Sequence, residues 1–253
     1  MSTDLVTVTV ADGRATITLA DADHRNRLSR ELMSGLGSAL ARVAADGSVR
    51  VAVLTAAGPV FCAGADLSGF GGDAPQQLGG VLADLAALPL PTIARVNGDA
   101  YGGGLGLIAA CDLAIAPRNA RFAFAEVRLG VTPAVIAGQC LRVMRPRPAA
   151  ELMLTGERVD AEFMAGAGLL TRSVNDIAAV DEQVDSWVES IRRGGPQALA
   201  ATKELLRRVP DSGESAAAWA AEVSAERFAS PEAAEGIAAF LEQRLPEWAP
   251  KPP

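Results

Sequence analysis

Tyr101-Gly102-Gly103-Gly104-Leu105-Gly106 follows Phe61-Cys62-Ala63-Gly64-Ala65-Asp66-Leu67, and the two stretches share one design. Each sets small residues at the junction between a loop and an expected helix. Such a junction leaves backbone N–H groups unpaired and aimed outward. One junction is at most an anion site; two that converge can hold a single oxygen as an oxyanion. Short apolar runs at 49–55 and 92–96 precede the two stretches, and a third at 113–116 follows. Runs of this kind suit buried parallel strands. With helical spacing of Leu28, Leu32, Met33, Leu36, Leu40 and Val43 before them, they predict βαβ units in an α/β chain.

Outward from this centre the signals stay regular. Val6, Val8 and Val10 alternate, Asp12-Gly13 makes a turn, and Ala15, Ile17 and Leu19 resume the alternation, which reads as a β-hairpin. The glycines and Pro75 of 68–80 argue against a helix there and for a mobile loop. Beyond about residue 176 only helical patterns remain, at 180–193, 197–209, 215–228 and 232–243. Pro196 and Pro231 open helices and Pro210 follows one.

Composition narrows the function. A net charge of −7 and 4% aromatic residues disfavour nucleic acid and anionic membranes as partners. No apolar run is long enough to cross a bilayer, and the first residues lack a secretory signal pattern. Three cysteines, Cys62, Cys111 and Cys140, show no metal spacing and read as reduced thiols of a cytoplasmic protein. Cys62 is placed as a nucleophile would be. The single histidine, His24, lies far from it in sequence, which favours a small apolar filler.

Two acids need a role. Asp66 is either a catalytic acid or, at a helix start, a cap that fixes its loop. Glu126 alternates with Phe122 and Phe124, so a strand would put all three on one side. A lone carboxylate among aromatics would have a raised pKa and could exchange protons near neutrality. Pairing with Arg128 on the surface is the plain alternative. Residues 104–109 also fit G-x-G-x-x-A with Glu126 at the spacing of a ribose-binding acid. A dinucleotide fold would place that fingerprint in its first βα turn, and here some ninety structured residues precede it.

The stretches FCAGADL at 61–67, VNGDAYGGGLGL at 96–107, CDLAIA at 111–116, FAFAEVRLGVTP at 122–133, LTGERVDA at 154–161 and AGLL at 167–170 occur in this order. In order and spacing they resemble the crotonase, or enoyl-CoA hydratase/isomerase, superfamily. The resemblance implies an α/β crotonase-type spiral of ββα units over 1–195, a C-terminal helical region over 196–253, and assembly as a homotrimer or hexamer. It implies an acyl-CoA substrate and no cofactor beyond the coenzyme A the substrate carries, with no metal. The N–H groups of Ala63 and Gly103 would hold the thioester oxygen, where losing one donor costs about 3 kcal/mol. Ala65, Asp66, Leu67, Gly106 and Pro133 would line the substrate. Arg25, in a segment (HRNRLS, 24–29) similar to the family's coenzyme A signature, would meet its phosphates, with Arg27 and Arg30 as further candidates.

The chain also departs from that family. Family hydratases carry two glutamates; the second matches Glu126, but the first falls on Gly106. The family stretch Pro-Gly-Ala-Gly-Gly-Thr-Gln stands here as Pro133-Ala134-Val135-Ile136-Ala137-Gly138-Gln139. The histidine and extra aspartate of the family's dehalogenases are not evident. Space at Gly106 is expected to take a water, an anion or part of a branched acyl chain. The activity expected is hydration of a 2-enoyl-CoA by Glu126 alone. A Δ3,Δ2-enoyl-CoA isomerase, or a catalytically weak acyl-CoA-binding paralogue, is the alternative.

Overall fold

The computed structural model describes residues 4–66, 72–209 and 215–250. β1 (Val6–Ala11) and β2 (Arg14–Leu19) form the expected antiparallel hairpin, with Val10 opposite Ala15. Asp12 and Gly13 both take positive φ, as a two-residue hairpin turn requires. Ala15, Ile17 and Leu19 point into the core.

α1 (Arg30–Ala45) begins at Ser29, whose Oγ accepts the Leu32 N–H at 3.2 Å, and buries Leu32, Met33, Leu36, Leu40 and Val43. It carries the chain to β3 (Val51–Ala56), parallel to β2. From here a unit repeats: a strand of the large sheet, a short strand of a second sheet, then one or more helices. β3 leads to β4 (Val60–Cys62) and α2 (Ala74–Ala87); β5 (Thr92–Arg95) leads to β6 (Asp99–Tyr101) and α3 (Gly103–Ala110). β7 (Leu113–Pro117) leads to β8 (Arg121–Ala123), α4 (Ala134–Val143) and α5 (Pro146–Thr155). β9 (Val159–Asp160) pairs antiparallel with β8, and α6 (Ala161–Ala167) then enters β10 (Arg172–Val174).

The large sheet runs β1-β2-β3-β5-β7-β10 and the small one β4-β6-β8-β9. Each new strand of the large sheet adds on the same side, which makes the fold a spiral. Among the described residues no reversal of strand order occurs, so they form no switch point of the kind at which a dinucleotide would bind. The parallel pairing of β4 with β6 has a second consequence: it sets the loops that follow these strands side by side.

Two sequence expectations need correction. The segment 68–80 is not a loop throughout, because α2 starts at Ala74. Pro75 sits in the first turn, where its missing N–H has no partner to lose, and Leu78, Val81, Leu82 and Leu85 supply a buried stripe. Residues 67–71 lie outside the described residues. Nor does a strand carry Phe122, Phe124 and Glu126 together: β8 ends at Ala123, and Glu126 opens a 3-10 turn, Glu126–Leu129. Both phenylalanines are buried.

α7 (Ile177–Arg192) packs Val180, Val184 and Val188 on the large sheet beside Val51, Val53, Ile93 and Ile115. α8 (Pro196–Arg208), α9 (Ser215–Phe228) and α10 (Pro231–Leu241) follow, with Pro196 and Pro231 in first turns as expected. Pro210 is outside the described residues.

Candidate active site

The two glycine stretches meet at their backbones. Gly64 has φ +91°, and a Cβ there would lie 3.1 Å from the Tyr101 carbonyl oxygen. Gly102 has φ +49°; a Cβ there would lie 3.9 Å from Gly64 Cα and 3.1 Å from Glu126 Oε1. Glycine is required at both positions for conformation as well as space. Three segments distant in sequence therefore converge: the end of β4, the start of α3 and the turn after β8.

The N–H groups sort differently from the sequence expectation. Ala63 N–H is already used, donating to the Arg25 carbonyl at 3.0 Å, so it cannot hold a ligand oxygen. Leu28 N–H donates to the Gly64 carbonyl at 2.8 Å, and Leu28 forms a parallel bridge with Ala65. In that pairing Ala65 N–H points away from Leu28, and it makes no hydrogen bond among the described residues. Gly103 N–H, at the first position of α3, has no helical acceptor. Two free donors thus flank the Gly64–Gly102 contact, and they belong to Ala65 and Gly103. Only the pairing of 25–28 with 63–65 reveals which alanine is free, and no local sequence signal carries that information. The Asp66 carboxylate faces Arg27 at 3.5 Å, and the residues that follow it lie outside the described ones.

Glu126 is the acid of the cluster. It is half-buried; Oε1 lies against Gly102, and Oε2 is buried without a hydrogen-bond partner among the described residues. Desolvation raises its pKa above the ordinary glutamate value, against a smaller lowering by its own backbone N–H. The expected alternative partner is engaged elsewhere: Arg128 Nε donates to the Thr155 carbonyl at 3.1 Å. The charge of Glu126 reaches Cys140 in α4, whose thiol is pushed up to about 12, by burial first and Glu126 second.

Cys62 is fully buried, and burial pushes its thiol to about 12 as well. Its Sγ accepts the Gly64 N–H at 3.4 Å, and a Cβ on Gly104 would lie 2.7 Å from Cys62 Cβ. It is packing material between the two stretches, unable to supply a thiolate near neutrality.

Residues 10–251 match the family model described as enoyl-CoA hydratase/isomerase. The chain belongs to this family. An enoyl-CoA hydratase structure from Mycobacterium smegmatis is 35% identical, with a TM-score of 0.90 over 96% of this chain and 98% of that one. The 2,3-dehydroadipyl-CoA hydratase of Escherichia coli is 33% identical over 92% of this chain and 93% of that protein. The carnitinyl-CoA dehydratase of Proteus mirabilis is 33% identical over 91% of this chain and 93% of that protein.

Within this enoyl-CoA hydratase/isomerase chain the position of the first family glutamate is closed. A Cβ on Gly106 would lie 2.6 Å from Ile136 Cγ2 and 3.2 Å from Leu82 Cδ1. The expected space for water, an anion or an acyl branch is therefore absent, filled by α4 and α2 packing on α3. The sequence did carry the signal, as a bulky Ile136 where the family has glycine, but nothing in it linked that residue to Gly106. Pro133 is buried at the N-cap of α4, three residues before Ile136. Arg25 is exposed and close enough to Tyr101 to act on its hydroxyl, Arg27 faces Asp66, and Arg30 pairs with Asp73. Leu67 lies outside the described residues. Among those residues no group of three or more His, Cys, Asp or Glu is placed for a metal, and no helix is long and apolar enough to cross a membrane.

Proposed function

We propose that this chain is a 2-enoyl-CoA hydratase in which Glu126 is the single acid–base and the N–H groups of Ala65 and Gly103 hold the thioester oxygen. The observation that carries this reading is the half-buried Glu126 carboxylate beside the Gly64–Gly102 contact, its Oε2 without a hydrogen-bond partner among the described residues. Glu126 takes a proton from water as the oxygen bonds to the β-carbon. The electrons of the double bond move onto the thioester oxygen, and the proton returns to the α-carbon on the same face. Fixed main-chain dipoles stabilise the charge that develops on that oxygen. The addition involves no redox change, so coenzyme A within the substrate is the only cofactor in this reading.

One observation favours a second reading. Ile136 and Leu82 make the wall beside Gly106 apolar, so no second carboxylate helps to hold the attacking water. A Δ3,Δ2-enoyl-CoA isomerase needs none: Glu126 would take a proton from the α-carbon and deliver it to the γ-carbon. The rest of the proposal is common to both. Arg25 meets the coenzyme A phosphates, and Asp66, Leu67 and Pro133 border the substrate. Residues 1–195 form the spiral core, and the helical region over 196–253 packs in a homotrimer or hexamer. Exposed Phe228, Phe240 and Leu241 on the last helices support that assembly, and three buried thiols support a cytoplasmic home.

Incubation with crotonyl-CoA and, separately, 3-hexenoyl-CoA tests the choice, with products separated and weighed. A water adduct of crotonyl-CoA is expected. A 2-enoyl product from hexenoyl-CoA without hydration would transfer the assignment to isomerase. Binding of both without turnover would identify a paralogue that only binds acyl-CoA.

A further inference from the structure

We infer that Asn26 is a positioning residue for the oxygen-binding site, acting through the backbone it holds at 25–28; this rests on the proposed roles of Ala65 and Gly103. Asn26 is fully buried and lies outside the glycine stretches. Its Nδ2 donates to the carbonyls of Ala57 at 2.9 Å and Val60 at 2.8 Å, and its Oδ1 accepts the Asp21 N–H at 2.9 Å. Two of these bonds tie 21–26 to the passage from β3 into β4, and the third closes the turn on itself.

That anchoring imposes an unusual backbone. Arg25 and Asn26 both sit in the left-handed region, with φ +57° and +53°. Asparagine tolerates this conformation better than most residues, and arginine is held there by its neighbour's bonds. The turn sends the Arg25 carbonyl to Ala63 N–H and Leu28 N–H to the Gly64 carbonyl. Both bonds fall on the loop that carries Ala65, and they leave Ala65 N–H as its free donor. The same turn lays the Leu28 side chain over the other donor: a Cβ on Gly103 would lie 2.5 Å from Leu28 Cδ1. One short segment therefore holds the loop that carries Ala65 and packs on Gly103, and Asn26 is what fixes that segment.

The test reads donor placement directly. A conjugated aryl-enoyl-CoA, cinnamoyl-CoA, absorbs further to the red when donors polarise its carbonyl. Its bound spectrum is recorded with the wild-type chain, Asn26→Gly and Asn26→Asp, together with affinity for free coenzyme A and circular dichroism. Glycine keeps the left-handed turn without the amide; aspartate keeps the acceptor and loses both donors. The expected result is a red shift in the wild type that is reduced in both variants. Coenzyme A affinity weakens as well, because Arg25 rides on the same turn, and turnover at saturating substrate falls by about 10²-fold, the scale for misplacing a reacting group by about 1 Å. A full red shift in folded Asn26→Gly would overturn the inference. A wild-type chain that binds cinnamoyl-CoA without any shift would instead remove the oxygen-binding reading, and the inference with it. Should both variants fail to fold, Leu28→Val leaves the amide bonds in place and removes the Cδ atoms that lie against Gly103. A reduced shift there supports the inference, and an unchanged one overturns it.

Discussion

Ile136 occupies the place that a side chain at Gly106 would take, its Cγ2 lying 2.6 Å from where a Cβ would be. The two positions form a complementary pair across α3 and α4: no side chain on one, a branched side chain on the other. Gly106→Glu alone should therefore overpack the core, at about 1–3 kcal/mol and with further loss from a buried charge. Gly106→Glu combined with Ile136→Gly should regain most of that stability and place a second carboxylate near Glu126. Thermal unfolding of both variants checks this. An equal loss of Tm in the single and double variants would show that Ile136 is not the obstruction.

Glu126→Gln should lower turnover by about 10²–10⁴-fold while acyl-CoA binding persists. In the wild type the ionised base is needed, so kcat/KM should fall as pH drops through the raised Glu126 pKa. The midpoint should lie above the ordinary glutamate value of about 4.3. Stability runs the other way. Folding raises this pKa, so the folded state binds the proton more tightly, and the resulting stabilisation is complete below the ordinary glutamate range. It is lost as pH rises through the raised value. Near neutrality an ionised Glu126 therefore costs stability, and Glu126→Gln should raise Tm there, by an amount that shrinks on acidification. A gain that grows at low pH would contradict the raised pKa.

Lys203 anchors the last helices. It is the buried residue of α8, and its ammonium lies 2.9 Å from Asp112 Oδ2 and 3.1 Å from the Leu90 carbonyl. Asp112 Oδ2 also accepts from Thr92 N–H at 2.7 Å and Thr92 Oγ1 at 2.9 Å. Lys203→Met keeps the apolar stem and leaves the Leu90 carbonyl unpaired, so a loss of about 1–3 kcal/mol is expected in urea unfolding. The loosened α8 should also be cut sooner by limited proteolysis. Unchanged cleavage with a lowered unfolding midpoint would mean that the ion pair stabilises the core without fastening the helix.

How far the sequence could be read follows from the range of each signal. Alternation in the hairpin, the apolar runs of β3, β5 and β7, and the prolines of α8 and α10 are local, and the structure places those elements where the patterns do. The ordered stretches carried the family as well. Pro75 misled because a proline that breaks a helix interior is harmless in a first turn. Ala63 misled because its N–H is consumed by Arg25, a residue joined to it only through the turn at Asn26. Gly106 misled because an absent side chain says nothing of what a neighbouring helix pushes into the gap. The misses at Ala63 and Gly106 are contacts between segments far apart in the chain, and single-sequence periodicity contains neither.

Cys62 offers a last check on how the two glycine stretches are joined. It is buried, its thiol is pushed to about 12, and it lies between Gly64 N–H and Gly104. If it is packing, Cys62→Ala should cost about 1 kcal/mol or somewhat more for the small cavity left, and turnover should stay near wild type. Cys62→Leu should do worse than alanine despite being apolar, because the added atoms meet the Gly104 backbone and force the stretches apart. Thiol-reactive dyes should label the folded chain slowly and the unfolded chain at all three cysteines. Rapid labelling of folded protein at Cys62, or abolished turnover in a stable Cys62→Ala chain, would return the thiol to the chemistry.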